Sequence, residues 1–327
     1  MIIPTYNKSR YLEYTLTGFL KQSFPHFEMI IIDDGSTDLT REVVRRFETR
    51  LSIKYVHQPN RGRSAARNNG LERAANDIVV FNDDDRIPAP DYMAGHIRTI
   101  QQAEQAKIVS IGYKRTVLSR FYPEISPYYV SKRENLLLTY AHFFERNPEM
   151  IGKFQQGQPF DLFTCGQLED DPNGVLERYY LYDGIENFKW DTMEFGDKLT
   201  GFHFDWACAT TGNMAFNAAR SNNLRFDESY LGWGIEDNDF SYQLKLAGYE
   251  YALAKSAVNY HQEHPRESVD QEKGLTNVDR FIRKFDTIET YLYKKIQQGD
   301  VRMIEAHRML QKFSEAQTRG REYAAEY

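Results

Sequence analysis

Four consecutive residues, Asn82-Asp83-Asp84-Asp85, concentrate the chemistry this chain could perform. Adjacent carboxylates repel one another unless something cationic sits among them. In extended backbone alternate side chains share a face, so Asp83 and Asp85 can converge while Asp84 points away. Two hard oxygen donors suit Mg²⁺ or Mn²⁺, above all when the phosphates of a ligand complete the shell. A solvated acidic turn is the plainer reading of the same residues. The surroundings decide between them.

The acids follow Ile78-Val79-Val80-Phe81, a run with the length and β-branched content of a buried strand, and Pro88 and Pro90 come soon after it. The same punctuation recurs along the first third of the chain. Met1-Ile2-Ile3 reads as a first strand, either short or beginning upstream, followed by Pro4-Thr5-Tyr6-Asn7; Ser9 is a candidate cap for a helix carrying Leu12, Leu16 and Phe19. Met29-Ile30-Ile31-Ile32 is a second strand, ending in Asp33-Asp34-Gly35-Ser36-Thr37-Asp38. A third, near residues 53–56, precedes Asn60-Arg61-Gly62-Arg63-Ser64-Ala65-Ala66-Arg67-Asn68, a glycine turn that opens a helix. Helices are expected at about 91–105, and a fifth strand at 108–111. Alternating strands and helices predict an α/β fold with a mostly parallel sheet covered on both faces. Ligands of such sheets bind at the carboxyl ends of the strands, where every one of these polar clusters falls. Arg63 and Arg67 lie near a helix N-terminus, a place that favours a diphosphate.

Composition sets the outer bounds. A chain of 327 residues with 41% hydrophobic and 27% charged residues can bury a sizeable core. Its net charge of −6 gives no reason to expect nucleic acid as a partner. No apolar run reaches the length of a membrane span, no signal peptide precedes the first motif, and Cys165 and Cys208 do not form a disulfide framework. The expectation is a cytoplasmic protein without a transmembrane segment.

Residues 113–205 break the alternation and are richer in aromatics than the 14% of the whole chain. Such a cluster forms core more commonly than a sugar-stacking wall. Helical pieces near 132–145 and a loop at 169–174 are expected there. Regular structure returns at Thr210-Thr211-Gly212-Asn213-Met214-Ala215-Phe216, followed by Gly232-Trp233-Gly234-Ile235-Glu236-Asp237 and a helix over 237–246. Short strands at 251–254 and 257–258 lead to Tyr260-His261-Gln262-Glu263-His264. The tail from about residue 277 is polar and helical with a break at Gly299-Asp300, and the sequence offers two roles for it: docking on the rest of the chain or supporting a partner contact such as self-association.

In order and spacing these motifs resemble the family-2, GT-A-fold glycosyltransferases. Pro4-Thr5-Tyr6-Asn7, Asp33-Asp34-Gly35-Ser36-Thr37-Asp38, Ala66-Arg67-Asn68 with Gly70, and the DxD Asp83-Asp84-Asp85 match the donor half. Gly232 to Asp237 with Tyr260-His261-Gln262-Glu263 is similar to the bacterial chondroitin-type polymerases and to the polypeptide N-acetylgalactosaminyltransferases. The resemblance covers about residues 1–111 and 206–265. It implies one domain over 1–265, with a nucleotide-sugar half (1–111), an aromatic-rich insertion (112–205) and an acceptor half (206–265), then a helical extension over 266–327.

By that resemblance Tyr6, Asn7 and Asp34 would hold uracil and ribose, with Pro4, Thr5, Arg61, Arg67, Asp84 and Trp233 completing the nucleotide-sugar contacts. Asp83 would approach both ribose and metal, Asp85 and His261 would bind Mn²⁺ or Mg²⁺, and Asp237, with Glu236 beside it, would be the catalytic base. The implied reaction is inverting transfer of a hexose or N-acetylhexosamine from a UDP-sugar to a hydroxyl of a glycan, peptide or small molecule. Arg86 stands where many members carry another acid, so no role is placed there. A nucleotidyltransferase shares the nucleotide-binding sheet and acidic site but leaves residues 232–237 unexplained. A non-catalytic sugar-nucleotide or glycan-binding subunit would have no need of an intact Asp83, Asp85, Asp237 and His261.

Overall fold

A computed structural model describes residues 1–102, 107–124, 136–137, 139–184, 192–230, 232, 234–265 and 271–325. The apolar runs of the first third become β1 (Ile2–Thr5), β2 (Met29–Asp33), β3 (Ile53–His57) and β4 (Ile78–Asn82), and the amphipathic stretches between them become α1 (Ser9–Phe19), α2 (Thr40–Phe47) and α3 (Arg63–Arg73). β5 (Arg86–Pro88), α4 (Tyr92–Gln101) and the long β6 (Ile108–Val117) follow, so the sheet continues past residue 111 into the aromatic-rich segment. That segment adds β7 (Arg120–Phe121), α5 (Ala141–Arg146), α6 (Glu149–Gln155), β8 (Phe160–Asp161), α7 (Cys165–Asp170), α8 (Pro172–Arg178) and β9 (Tyr180–Asp183). The chain then returns through β10 (Asn213–Asn217), α9 (Glu236–Leu246) and β11 (Glu250–Gln262), and ends in α10 (Gln271–Phe285), α11 (Ile288–Gln297) and α12 (Met303–Ala325).

The strands form one mixed sheet in the order β3-β2-β1-β4-β10-β6-β11-β5, with β9 beside β6. β1 to β4 are mutually parallel where they pair, as are β6 and β11. β10 runs antiparallel between β4 and β6. This reversal brings the start of β10 to the edge where its parallel neighbours end. Alternation along each strand divides the core: Ile2, Ile30 and Ile32 pack on one face of the sheet, Ile3, Ile31 and Met29 on the other.

Several local expectations change. Ser9 is the first helical residue of α1, not its cap, and its backbone N–H donates to Asp38 Oδ2 at 2.9 Å. The loop expected at 169–174 is a tight junction between α7 and α8, in which Asp171 accepts from the Gly174 N–H at 3.0 Å and Pro172 opens the new helix. The two short strands expected near 251–258 are the single strand β11, with a register shift between Ala254 and Val258. Of the helix expected at 132–145, residues 132–135 and 138 lie outside the described residues; the Tyr140 N–H donates to the Leu136 carbonyl at 2.9 Å, and α5 forms the end.

Buried aromatics of the middle segment, among them Phe121, Tyr140, Phe143, Phe160, Phe163 and Tyr179, form a separate cluster that meets the sheet at Ile87, Val117 and Tyr260. The tail packs into a different core: Val278, Phe281, Tyr293 and Met303 join the same cluster as Trp206 and Tyr242. Lys284 of α10 reaches the fully buried Asp239 of α9 at 2.8 Å, and Asn277 donates to the Gly234 carbonyl at 3.1 Å. The last helices thus brace the segment that precedes Glu236 and Asp237. No helix among the described residues is long and apolar enough to cross a membrane.

Candidate active site

The polar clusters converge on one sheet edge. β1 ends in Thr5, after which Tyr6 is half exposed and Asn7 adopts a left-handed conformation (φ 52°). Asn7 is bonded to the loop after β2, receiving the Thr37 N–H at 2.8 Å and donating its own N–H to Ser36 at 2.9 Å. Asp34 accepts from Gln58 at 2.7 Å and from the backbone N–H groups of Arg61 and Gly62 at 2.9 and 2.8 Å, and so shapes the turn into α3. The Arg61 side chain is exposed and pairs with Glu228 at 2.8 Å. Pro4 lies within β1, and Trp233 falls outside the described residues.

β4 delivers the acids, and the turn after it separates them. Asn82 holds the turn by donating to the carbonyls of Asp83 and Arg86 at 2.7 and 2.9 Å, while Asn259 of β11 donates to Asn82 Oδ1 at 2.8 Å. Asp84 faces inward, where burial first and the charge of Asp85 second push its carboxyl upward. Asp83 lies 3.3 Å from Arg86 Nε and 3.5 Å from Arg67 Nη2. The residue that departs from the family pattern, Arg86, therefore partners the first acid of the motif.

Asp85 points the other way, toward the end of β11. The Gln262 N–H donates to the Asp85 carbonyl at 2.9 Å, and the carboxylate Oδ2 lies 3.8 Å from His261 Nε2 and 3.1 Å from His264 Nε2. Burial opposes its charge, but His261 foremost, then His264 and Lys8, hold the Asp85 carboxyl well below the usual carboxylate range. One oxygen or nitrogen from each of Asp85, His261 and His264 falls within a 4.8 Å span. His264 Nδ1 lies 2.8 Å from the Pro265 carbonyl, a pure acceptor, so that nitrogen carries the ring proton and Nε2 offers a lone pair. A carboxylate and two imidazoles aimed at one another fit a divalent cation, and two nitrogen ligands favour Mn²⁺ over Mg²⁺. Among the described residues Asp83 stands apart from this cluster. His264 was visible in the sequence only as a second histidine three residues after His261.

The second acidic pair opens α9. Gly232, Gly234 and Ile235 all adopt positive φ, 77°, 98° and 75°. A β-branched residue in that region is strained, and buried Ile235 is held there by its packing and by its carbonyl, which accepts the Asp239 N–H at 2.8 Å. The strained turn faces Glu236 and Asp237 toward α3. Asp237 accepts from Thr211 Oγ1 at 2.6 Å, and its side chain is 21% exposed against 8% for Glu236. Burial, then the charge of Asp237, raise the Glu236 carboxyl, with Arg67 opposing.

Arg67 joins the two acidic groups. Its guanidinium is 3.3 Å from both Glu236 Oε1 and Asp237 Oδ1 and 3.5 Å from Asp83 Oδ1. The sequence places this arginine against a diphosphate; in the structure it is buried, facing three carboxylates. Neither Thr211 nor Arg86 carries a sequence signal for its position. Thr211 owes it to the antiparallel β10, which sets Asn213 opposite Asn82, and Arg86 to β5, which pairs with β11 at His261.

Gly212 shows how closely these parts fit. A Cβ there would lie 2.6 Å from Arg86 Nε and 2.8 Å from Asp83 Oδ2. Gly212→Ala is therefore expected to fold, since two side-chain ends can shift, while kcat/KM drops by roughly 10²-fold, the scale of an ångström-sized misplacement. Steady-state kinetics beside a thermal melt will separate the two effects.

The fold defined by this mixed sheet and its acidic edge is the GT-A glycosyltransferase fold. It superimposes on residues 1–349 of TarS from S. aureus, solved in complex with UDP-GlcNAc, with a TM-score of 0.55 and 17% identity over 86% of this chain and 64% of that one. Residues 1–160 match Glycosyl transferase family 2. The uncharacterized glycosyltransferase YfnE of Bacillus subtilis is 28% identical over 89% of this chain and 71% of its own length. The chondroitin synthase of Escherichia coli is 29% identical over 90% of this chain but only 40% of its own length.

Proposed function

We propose that this protein is a metal-dependent inverting glycosyltransferase that moves a hexose or N-acetylhexosamine from a UDP-sugar to the hydroxyl of a glycan, peptide or small-molecule acceptor. The observation that carries this reading is the meeting, at one sheet edge, of the Asp85-His261-His264 cluster and the Glu236-Asp237 pair, with Asp83 and Arg67 between them. Names of relatives that polymerise or transfer sugars, and the UDP-GlcNAc complex of TarS, support the donor class.

In this reading Tyr6, Asn7 and Asp34 border the uracil and ribose, and Asp83 the ribose side of the metal. Asp85, His261 and His264 hold Mn²⁺, which supplies charge neutralisation to the departing diphosphate. Asp237, oriented by Thr211, takes the proton of the acceptor hydroxyl, whose in-line attack inverts the anomeric centre. One base is enough, because the nucleotide leaves without protonation. A glycoside hydrolase would need two carboxylates flanking the bond. Residues 112–205 and the C-terminal helices are assigned to the acceptor. Free Cys165 and Cys208 suit a cytoplasmic setting.

The test is a screen of UDP-sugars with Mn²⁺, read as UDP release. Release is expected with at least one UDP-hexose or UDP-N-acetylhexosamine, abolished by EDTA and restored better by Mn²⁺ than by Mg²⁺. Equal release in EDTA would overturn the metal requirement, and no release with any donor would overturn the function.

A further inference from the structure

Lys8 is the residue between the nucleotide-side segment Tyr6-Asn7 and helix α1, and it turns toward the acidic edge. Its stem passes the ring of Tyr11, with Nζ 4.9 Å from the centroid. The ammonium ends 2.8 Å from His264 Nε2 and 3.7 Å from Asp85 Oδ2. Because His264 Nδ1 is committed to the Pro265 carbonyl, Nε2 has one lone pair to give. The same Nε2 lies 3.1 Å from Asp85 Oδ2, so one positive group can serve both. The ammonium does so.

We propose that Lys8 is a built-in competitor of the divalent cation: its ammonium and the metal are mutually exclusive partners of the His264 Nε2 lone pair. A single lone pair cannot accept a hydrogen bond and ligate a metal at once. Metal loading therefore releases Lys8 from His264, and the freed ammonium stands one residue after Asn7. Its release links the metal cluster to the nucleotide side of the site, without any domain motion. The inference rests on the metal reading given above and goes beyond it, since it assigns Lys8 a role in setting how readily the site takes up its cation.

The test is calorimetric titration of the nucleotide-free protein with Mn²⁺, which needs no turnover. Lys8→Met, which keeps the stem beside Tyr11, is expected to tighten Mn²⁺ binding about tenfold, the equivalent of one hydrogen bond to a charged group. Lys8→Arg keeps the positive charge and should bind Mn²⁺ close to the native value; it also serves if Lys8→Met folds poorly. Asp85→Ala should lose Mn²⁺ binding in either background. If Asp85→Ala binds Mn²⁺ as well as the native protein, the metal site itself is misassigned. If Asp85→Ala loses the metal while Lys8→Met binds it no more tightly than native, only the competitor role is overturned.

Discussion

Asp237→Asn should bind UDP and Mn²⁺ as the native protein does while turning over donor and acceptor about 10²–10⁴ times more slowly, the contribution typical of a general base. The substitution nearly preserves shape and lets Thr211 keep its hydrogen bond to the Asn carbonyl oxygen. It also lowers the number of carboxylates facing Arg67 from three to two, so the fold is not put at risk. What disappears is the ability to take a proton. Glu236 is the competing candidate: it is the neighbour in sequence, but it is more deeply buried than Asp237, and Thr211 bonds to Asp237. Glu236→Gln is expected to keep measurable turnover. Near-native turnover in Asp237→Asn together with an inactive Glu236→Gln would transfer the role to Glu236.

The parts of this site that lie on strands were legible in the sequence, and the parts that depend on how strands meet were not. Four apolar runs ending in polar residues are enough to bring Asn7, Asp34 and Asp83 to one edge, because parallel strands with crossover helices all end on the same side. The run Asn213-Met214-Ala215-Phe216 carries no mark of direction, so the antiparallel entry of β10, which places Thr211 and Gly212 at that edge, had to come from the structure. Likewise, alternation along an extended chain sends Asp83 and Asp85 to a common face. The turn pinned by Asn82 instead directs Asp83 to Arg67 and Arg86, and Asp85 to the histidines. His264 lies past the end of β11, where no period applies. The polar pair Lys255-Ser256 hid the continuity of that strand.

Arg67→Met should lower the stability of the protein by about 3–5 kcal/mol, the usual consequence of removing one partner from a buried charge cluster. For a chain of this length that corresponds to a fall in Tm of roughly 4–7 °C. Burial by itself opposes the charge of Arg67, yet Asp237, Glu236 and Asp83 hold the guanidinium charged. Its flat fork meets acids on two sides: Nη1 faces Glu236 and Asp237, and Nη2 faces Asp83. The ring of Phe226 lies 5.6 Å from the guanidinium carbon. A lysine presents a point charge without that fork, so Arg67→Lys should recover part of the stability but little of the activity. Removing an acid as well gives the sharper measurement. Arg67→Met with Glu236→Gln should be more stable than the sum of the single changes allows, by about 1–3 kcal/mol, because the residues touch. An arginine turned outward to a diphosphate, as its place near the helix N-terminus suggests from sequence, behaves differently. Its loss would weaken UDP-sugar binding, leave Tm unchanged, and show no coupling to Glu236. A thermal melt of Arg67→Met without nucleotide distinguishes the two: an unchanged Tm would remove Arg67 from the centre of the site and return it to the donor.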